Sequence, residues 1–289
     1  MRYCNDKRTD RVKTRFNFFF TGSEFVGRKI ATKAASLGIE YILELGSPCP
    51  VYIDKNVNIK SAAKRIVWAK MYNSGQTCVS PNHFLVHESV YDEFKQELQI
   101  QLNKQYPNLW VNNDYSHIIN IEQLNNIMNY FQNTHNIFIS HNDLKIIPQI
   151  VDCDIDKNKS MMTNEMFSNI FALFKIRDKK QALDLFNSLN NSALASYVFT
   201  NNKQTIDDFI KNTNSGSLAI NDALIHISEL KLPFGGIKSS GQGRYRHKFS
   251  ITSFSNARSY YISRNLNDFS SRFAPFTRKK YNFLRKIIK

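Results

Sequence analysis

The sequence predicts an α/β protein, and three observations lead to that prediction. Short apolar runs typical of strands alternate with amphipathic stretches typical of helices along most of the chain. The chain has 289 residues, of which 42% are hydrophobic and 13% aromatic, which is enough for one large or two modest domains with a core. Apart from a general bias towards Asn and Lys, neither a repeat nor a low-complexity tract interrupts the alternation.

The first elements are a predicted strand, a helix and a second strand. Residues 16–21 form an apolar run that ends at Gly22 and Ser23. Ser23 can cap a helix, and Gly38 stands where a helix commonly ends. Residues 39–45 predict a second strand, which carries Glu44 near its end. A strand, a Gly-Ser turn and a helix N-terminus suit a phosphate, although an ordinary β-α turn is the alternative from these residues alone.

The next elements lead to a cysteine. Residues 51–54 predict a strand, and the following helix has apolar residues at helical spacing before the chain reaches Gly75-Gln76-Thr77-Cys78. A thiol on such a turn is placed to attack a carbonyl carbon. A buried cysteine that serves as a small hydrophobe is the other interpretation of so short a match.

The remaining segments continue the alternation. The pattern Ser89-x-x-Asp92 predicts a capping box that opens a helix with Phe94, Leu98 and Leu102 on one face. Further strands are predicted at 83–87, near Ile137 and Ile146, at 197–199 and at 218–220, and further helices at 124–131, 183–189 and 206–213.

A series of short motifs runs through nearly the whole chain. They are RFNFFFTGS from Arg15, Glu44, the Gly75–Cys78 segment, Glu165-Met166-Phe167, Asn221-Asp222, Pro233-Phe234-Gly235-Gly236, Ser240-Gly241-Gln242-Gly243, Phe254-Ser255 and RFAPF from Arg272. In this order they resemble the aldehyde dehydrogenase superfamily, most closely its class 3 or fatty aldehyde dehydrogenase branch. Two positions depart from the family pattern. Ser47-Pro48 stands where the family has Gly-Lys, and Ser168-Asn169 stands where it has Gly-Pro.

The resemblance implies an α/β aldehyde dehydrogenase-like catalytic domain with a remnant of a Rossmann-type cofactor domain and a C-terminal oligomerisation strand. It assigns residues 1–45 to the remnant, 46–246 to the catalytic domain, 247–263 to the oligomerisation strand and 264–289 to a basic tail. A full-length family member has a long segment ahead of Arg15, where this sequence has fourteen residues. We therefore expect the adenosine half of the nucleotide site, and an Asn that helps to stabilise the oxyanion, to be missing.

The resemblance also implies a function, the oxidation of an aldehyde, aliphatic and of medium or long chain, to the carboxylic acid with NAD or NADP. Cys78 would attack the aldehyde and pass through a thiohemiacetal and a thioester, and Glu44 would activate the water that hydrolyses the thioester. The residues implied to bind the cofactor are Gly22, Ser23, Val26, Gly46, Glu165 and Phe167. The alternative hypothesis is a catalytically inactive remnant that acts as an interaction module. Cofactor binding tells the two hypotheses apart, and we expect weak or no NAD binding by this chain.

Charge and cysteine content bear on partners and location. The four cysteines show no paired metal-binding spacing and are interpreted as reduced thiols. The net charge is +15, and residues 264–289 hold four Arg and four Lys against Asp268 alone, interleaved with aromatic residues. Such a tail suits an anionic membrane surface or a subunit contact, and no motif for specific nucleic-acid recognition accompanies it. We expect a homodimer in the cytoplasm, peripheral on a membrane surface if the tail binds lipid.

Overall fold

The structure, a computed structural model, describes residues 18–131, 137–140, 144–263 and 268–287. Within them the strands are β1 (Phe18–Gly22), β2 (Tyr41–Leu45), β3 (Cys49–Ile53), β4 (Pro81–His87), β5 (Ile139–Ser140), β6 (Lys145–Ile146), β7 (Ile150–Cys153), β8 (Phe171–Ile176), β9 (Ala193–Phe199), β10 (Ser215–Ile220) and β11 (Gly241–Gln242). The helices are α1 (Glu24–Ser36), α2 (Ile59–Met71), α3 (Tyr91–Gln105), α4 (Ile121–Asn129), α5 (Lys159–Thr163), α6 (Lys179–Leu189), α7 (Lys203–Asn212), α8 (His247–Phe254) and α9 (Arg278–Ile287). The predicted α/β class is confirmed. The chain divides into two compact units, Met1–Phe254 and Ser255–Lys289.

A six-stranded sheet forms the centre of the first unit, in the order β10-β9-β3-β4-β8-β7, with every neighbouring pair parallel. Alternate side chains of each strand enter two separate apolar clusters, as Val51 and Ile53 do on one face and Tyr52 on the other. Helices α2 and α3 cover the first face, and α4, α5, α6 and α7 cover the second. Because both faces are covered, the strands are continuous apolar runs in the sequence.

A second, three-stranded sheet positions Glu44. Its central strand β2 pairs in parallel with β1 and antiparallel with β11, which sets Gly241 opposite Glu44. Gly241 has φ +142°, and a Cβ there would lie 2.1 Å from the backbone oxygen of Leu43. Only glycine fits such a contact, so the glycine-rich stretch is packed against β2 and is not a flexible surface loop. Of the strand predicted at 16–21, residues 16–17 lie outside the described residues.

Helices α1 and α2 begin and end as the local sequence requires. Ser23 caps α1, where its Oγ accepts a hydrogen bond of 3.4 Å from the backbone N–H of Val26, and Gly38, at φ +64°, follows the helix end. The predicted cap and end of α1 are confirmed. Helix α2 is capped by Asn58 and buries Ala62, Ile66 and Ala69.

The strand predicted at 247–263 is absent from the described chain, because His247–Phe254 is helix α8 and 255–263 has no regular secondary structure. The oligomerisation role of this segment stays a prediction. A strand that awaits a partner leaves its backbone groups unpaired within one chain, whereas a helix pairs them internally. Here the N–H of Phe249 donates to the oxygen of Arg246 at 3.0 Å, and Ser250 Oγ accepts from the N–H of Arg246 at 2.8 Å. The resemblance therefore did not indicate the backbone conformation of this segment.

The capping box predicted at Ser89 is also wrong. Residues Glu88–Val90 form a tight turn, and α3 begins at Tyr91 without a side-chain cap. His87 Nδ1 accepts hydrogen bonds from the backbone N–H and the hydroxyl of Ser89, at 3.2 and 2.9 Å, so the hydroxyl is engaged before the helix begins. The apolar face of α3 is buried at Phe94, Leu98 and Leu102, as predicted.

The second unit is small and carries the basic tail. A tight turn at Ser270–Arg272 precedes α9. Helix α9 is amphipathic, with Arg278, Lys279, Arg285 and Lys286 on one face and Tyr281, Leu284 and Ile287 on the other, which also holds Lys280. Among the described residues, no helix combines the length and apolar character that crossing a bilayer requires.

Candidate active site

A cavity of about 390 Å³ lies at the carboxyl end of β1 and β2, beside the turn that carries Cys78. Of the residues proposed from the sequence for the site, all except Val26 line it. The lining residues are Thr21, Gly22, Ser23, Glu44, Leu45, Gly46, Gln76, Thr77, Cys78, Gln123, Glu165 and Phe167. The backbone N–H of Val26 is used by the cap of α1, and its side chain is 40% exposed.

The turn before Cys78 is held in an unusual backbone conformation. Asn73, Ser74 and Gly75 all have positive φ, at 50°, 53° and 74°. The side-chain amide of Gln76 fixes the turn, because its Nε2 donates to the oxygen of His117 at 2.8 Å and its Oε1 accepts from the N–H of Ile119 at 2.9 Å. Cys78 is thus presented by a rigid segment.

The Cys78 thiol is protonated at neutral pH. Burial raises the pKa of Cys78 to about 11, and the carboxyl groups of Glu165 and Glu44 raise it further, while the backbone amides of Cys78 and Val79 lower it. The thiolate is the nucleophilic form of cysteine, so attack by Cys78 needs a group that removes the proton.

Glu44 can accept a proton in this cavity. Its side chain is 2% exposed, and burial raises the pKa of Glu44 to about 7, against the opposing effects of Arg244, the Gly236 amide and Arg246. Within the described part of the chain neither carboxylate oxygen has a hydrogen-bond partner of normal geometry. A carboxylate with a pKa near neutrality is suited to general-base catalysis.

A second buried carboxyl group, Glu165, lies against Gly46. A Cβ on Gly46 would lie 2.1 Å from Glu165 Oε2, so the carboxylate occupies space that only glycine leaves open. Burial raises the pKa of Glu165 to about 7, while the Ser47 amide and Lys70 lower it. Lys70 is itself buried, burial lowers its pKa to about 7, and its ammonium donates to the oxygen of Pro81 at 2.7 Å.

Asn82 holds the loop on both sides of Glu165. Its Nδ2 donates to the oxygens of Met161 and Asn164, at 2.8 and 3.1 Å, and its Oδ1 accepts from the N–H of Met166 at 2.8 Å. Farther along the loop, Nδ2 of Asn169 donates to the oxygen of Ile146 at 2.9 Å. Sequence analysis missed Asn82, since an Asn after a Pro is an ordinary turn signal. Asn82 and Asn169 fix the loop where the family pattern has Gly-Pro after Phe167.

The residues around the cavity fit parts of a dinucleotide. Gly22 and Ser23 stand at the N-terminus of the thirteen-residue helix α1, where backbone N–H groups attract a phosphate. Glu165 Oε1 is buried without a partner among the described residues, so it can accept a hydrogen bond from a ribose hydroxyl. Phe167, at φ +51°, places an aromatic side chain at the same cavity. The described residues contain no cluster of three His, Cys, Asp or Glu that could hold a metal ion.

The buried carboxyl group of Glu44 gives the fold a pH dependence. Because the pKa of Glu44 is raised to about 7 in the folded chain, its protonated form stabilises the fold fully below about pH 4.5, and this contribution is lost as the pH rises through 7. We expect Glu44→Gln to leave the free energy of unfolding nearly unchanged at acidic pH and to raise it by roughly 1 to 3 kcal/mol above pH 7. Urea unfolding at the two pH values measures this, with exposed Glu93→Gln as the control. An equal increase in the free energy of unfolding at both pH values would contradict the raised pKa of Glu44.

Comparisons with known proteins agree with this geometry. The family model described as "Aldehyde dehydrogenase family" matches residues 13–260. A rat protein named "Aldehyde dehydrogenase, dimeric NADP-preferring" is 33% identical over 265 residues, which cover 90% of this chain and 58% of the relative. The rat "Aldehyde dehydrogenase family 3 member A2" is 31% identical over 88% of this chain and 53% of its own length.

A solved structure of similar fold agrees with these sequence comparisons. The substrate-bound AldH of Staphylococcus aureus superposes with a TM-score of 0.87 at 31% identity, over 94% of this chain and 60% of that one. The chain therefore spans somewhat more than half the length of these relatives.

Proposed function

The chain belongs to the aldehyde dehydrogenase family, and from that premise we propose that it oxidises an aldehyde to the carboxylic acid through Cys78 and Glu44. The observation that carries the proposal is that a nucleophile and a buried carboxylate with a pKa near neutrality face one cavity together with Glu165. The motifs of the fatty aldehyde branch support an aliphatic substrate of medium or long chain. The relatives' names support both NAD and NADP as candidate cofactors.

In the proposed reaction Cys78 is the nucleophile and Glu44 is the general base. Glu44 takes the thiol proton as the sulfur of Cys78 bonds to the carbonyl carbon, and it passes that proton to the carbonyl oxygen, so a thiohemiacetal forms on Cys78 and Glu44 is ionised again. A bound nicotinamide would supply the oxidant, since it would accept a hydride from the adduct, while the hydroxyl proton would leave to solvent and a thioester would remain. Glu44 then takes a proton from water as the water attacks the thioester, which releases the acid and returns Cys78 to its thiol form.

Residues on the other side of the cavity would hold the cofactor. Gly22 and Ser23 would bind the phosphates at the N-terminus of α1, with Val26 beside them, and Glu165 would accept hydrogen bonds from the ribose. Gly46 and Phe167 would pack against the nicotinamide. The adenosine side of the site has no counterpart in the motifs of this chain, so we expect weak binding of NAD or NADP.

A second candidate function is an inactive domain that serves as an interaction module, and the exposed aromatic side chains Phe18, Phe19 and Phe25 favour it. Two measurements on the 289-residue chain separate the candidates. Equilibrium binding of NAD and NADP is measured by calorimetry, and aldehyde-dependent reduction of nicotinamide is measured by absorbance, with Cys78→Ala as the control. Turnover that needs Cys78 supports the dehydrogenase, whereas binding and turnover both at background level support the module.

We expect the chain to associate in solution, in keeping with the dimeric state that a relative's name gives. Apolar side chains are exposed on β1 and α1, with Phe25 at 68%, Phe18 at 48% and Phe19 at 43%, and such a patch favours contact with a second surface. Phe25→Glu is expected to lower the apparent mass, which light scattering at several concentrations reports. Ile100→Glu, at an exposed position on α3, is the control. A monodisperse monomer of the parent chain would contradict this expectation.

We propose further that the second unit contacts anionic membranes. The cationic face of α9 suits acidic lipid headgroups, and Tyr281, Leu284 and Ile287 on the opposite face suit the apolar boundary below them. Sedimentation with vesicles of phosphatidylserine and phosphatidylcholine, at low and at physiological salt, tests this against phosphatidylcholine alone. Binding that needs phosphatidylserine and weakens with salt supports the proposal, and the absence of salt-sensitive binding excludes it.

A further inference from the structure

The glycine-rich segment 234–245 closes over the strand that carries Glu44. Phe234 and Tyr245 exchange both backbone hydrogen bonds, at 3.0 and 2.9 Å, and so join the two ends of the segment. Between those ends β11 pairs with β2, with Gly241 opposite Glu44. The conformation of this closed segment therefore determines which groups face the buried carboxylate.

Arg244 holds the segment from inside. Its Nη1 donates to the oxygens of Gly236 and Gly243, at 2.7 and 2.8 Å. The side chain folds back over Gly235, where an added Cβ would lie 3.1 Å from Nη1. The backbone oxygen of Arg244 accepts a hydrogen bond of 2.6 Å from Ser253 Oγ, which anchors the arginine to α8. The guanidinium is thus fixed in place by contacts on several sides.

We propose that Arg244 is a positioning residue for Glu44, because it closes segment 234–245 through two backbone oxygens and keeps a fixed positive charge beside the buried carboxylate. This inference rests on the proposed role of Glu44 as the base and adds a residue that controls it. Arg244 lies outside the motifs that identify the family, the last of them before it being Ser240-Gly241-Gln242-Gly243. A guanidinium suits the task because its Nη1 carries two N–H groups, one for each oxygen, while the group stays charged at every relevant pH.

The charged and titratable groups around Glu44 determine how its pKa responds to the loss of Arg244. Arg244 from the segment and Arg246 just after it lower the pKa of Glu44. Burial is the largest cause of the raised pKa of Tyr245 and of Cys78, and Glu44 raises both further. The Arg246 guanidinium lies 4.4 Å from the centre of the Phe234 ring and bonds the oxygen of Ile227, and its effect on Glu44 is the smaller of the two. Burial raises the pKa of Glu44 and the charge of Arg244 lowers it. When that charge is removed, the pKa of Glu44 rises, so less of the ionised base form is present at neutral pH.

The experiment titrates Glu44 directly, without substrate or cofactor. Protein labelled with ¹³C at the glutamate carboxyl carbons is followed by NMR across the pH range, and the resonance missing from Glu44→Gln identifies Glu44. We expect a midpoint near 7 in the parent chain. We expect a midpoint at least about one pH unit higher in Arg244→Met, and a smaller rise in Arg246→Met. Arg177→Met, at an exposed position after β8, removes the same charge elsewhere and is expected to leave the midpoint unchanged.

Two further variants separate the charge from the hydrogen bonds. Arg244→Gln keeps a donor for the segment and loses the charge, so its midpoint should rise as in Arg244→Met. Arg244→Lys keeps the charge and loses the fixed geometry of the planar guanidinium, so its midpoint should rise less. If Arg244→Met does not fold, as judged by circular dichroism, Arg244→Gln takes its place in the test. An unchanged midpoint in a folded Arg244→Met or Arg244→Gln protein overturns the proposal.

A second readout keeps this inference distinct from the proposed function. The pH profile of Cys78-dependent ester hydrolysis should move upwards with the NMR midpoint in each Arg244 variant. A raised NMR midpoint in a chain without ester or aldehyde turnover upholds Arg244 as the positioning residue and refutes only the catalytic function. A normal pH profile in an active Arg244→Met protein refutes the positioning role and leaves the catalytic function standing.

Discussion

Glu44→Gln is expected to slow hydrolysis of the acyl group on Cys78 by at least about a hundredfold, since general-base catalysis typically contributes 10²- to 10⁴-fold. Glutamine has the size of glutamate but cannot take a proton from water. With an activated ester as the substrate at about pH 10, the first turnover should still release its leaving group, because the pKa of Cys78 is about 11 and enough thiolate is then present to attack without a base. The later turnovers should then nearly stop, so rapid-mixing kinetics would show a burst followed by a much slower phase.

Two controls give that result its meaning. Cys78→Ser should remove the burst, because the acyl group then has no thiol to occupy. Glu93→Gln makes the same chemical change at an exposed position on α3 and should leave both phases as they are in the parent chain. Equal slow phases in Glu44→Gln and the parent chain would mean that another group activates the water.

Gly75→Ala is expected to destabilise the fold by about 2 to 5 kcal/mol, which would make it one of the most damaging single substitutions in the first unit. Gly75 has φ +74°, and a Cβ there would lie 1.9 Å from the backbone oxygen of Ser168. That oxygen belongs to the loop that carries Glu165 and Phe167, and it cannot move aside as a flexible side chain could. The new methyl group must therefore displace either the Cys78 turn or the cofactor side of the cavity.

Gly38→Ala separates backbone strain from this clash. Gly38 has φ +64°, close to the value at Gly75, but nothing lies within 4 Å of the position that its Cβ would occupy. This control should cost only the left-handed backbone penalty of about 1 to 2 kcal/mol. Urea unfolding of both variants gives the difference, and equal losses would show that the approach of Ser168 to Gly75 has no energetic consequence.

The sequence alone predicted the elements whose signals are local. The apolar spacing along α2, the cap at Ser23 and the end at Gly38 depend on neighbours within one or two turns, and the structure has all three. The candidate site also followed from the sequence, because short motifs identify residues without any knowledge of their distances. Cys78, Glu44 and Glu165 were named in this way, and they line one cavity.

Local signals failed where another contact takes the group that a motif would use, or where a predicted element needs a partner. Ser89 has the pattern of a cap, but His87 binds it first, and residues 247–254 form a helix because in one chain no strand pairs with them. Strand β7 and helix α5 were not predicted at all, since four or five residues carry too little periodicity.

The properties that turn named residues into a site were decided by the tertiary structure. The pKa of Glu44 near 7 depends on burial by β1, β11 and the Cys78 turn, and on an arginine two hundred positions away in the sequence (244 − 44). Asn82 fixes the Glu165 loop from the end of a different strand, and Gly75 leaves room for the backbone of Ser168. Desolvation and electrostatic interactions depend on distance in space and not on separation along the chain, so the sequence determined which groups are present, and only the packing decided how strongly each one binds its proton.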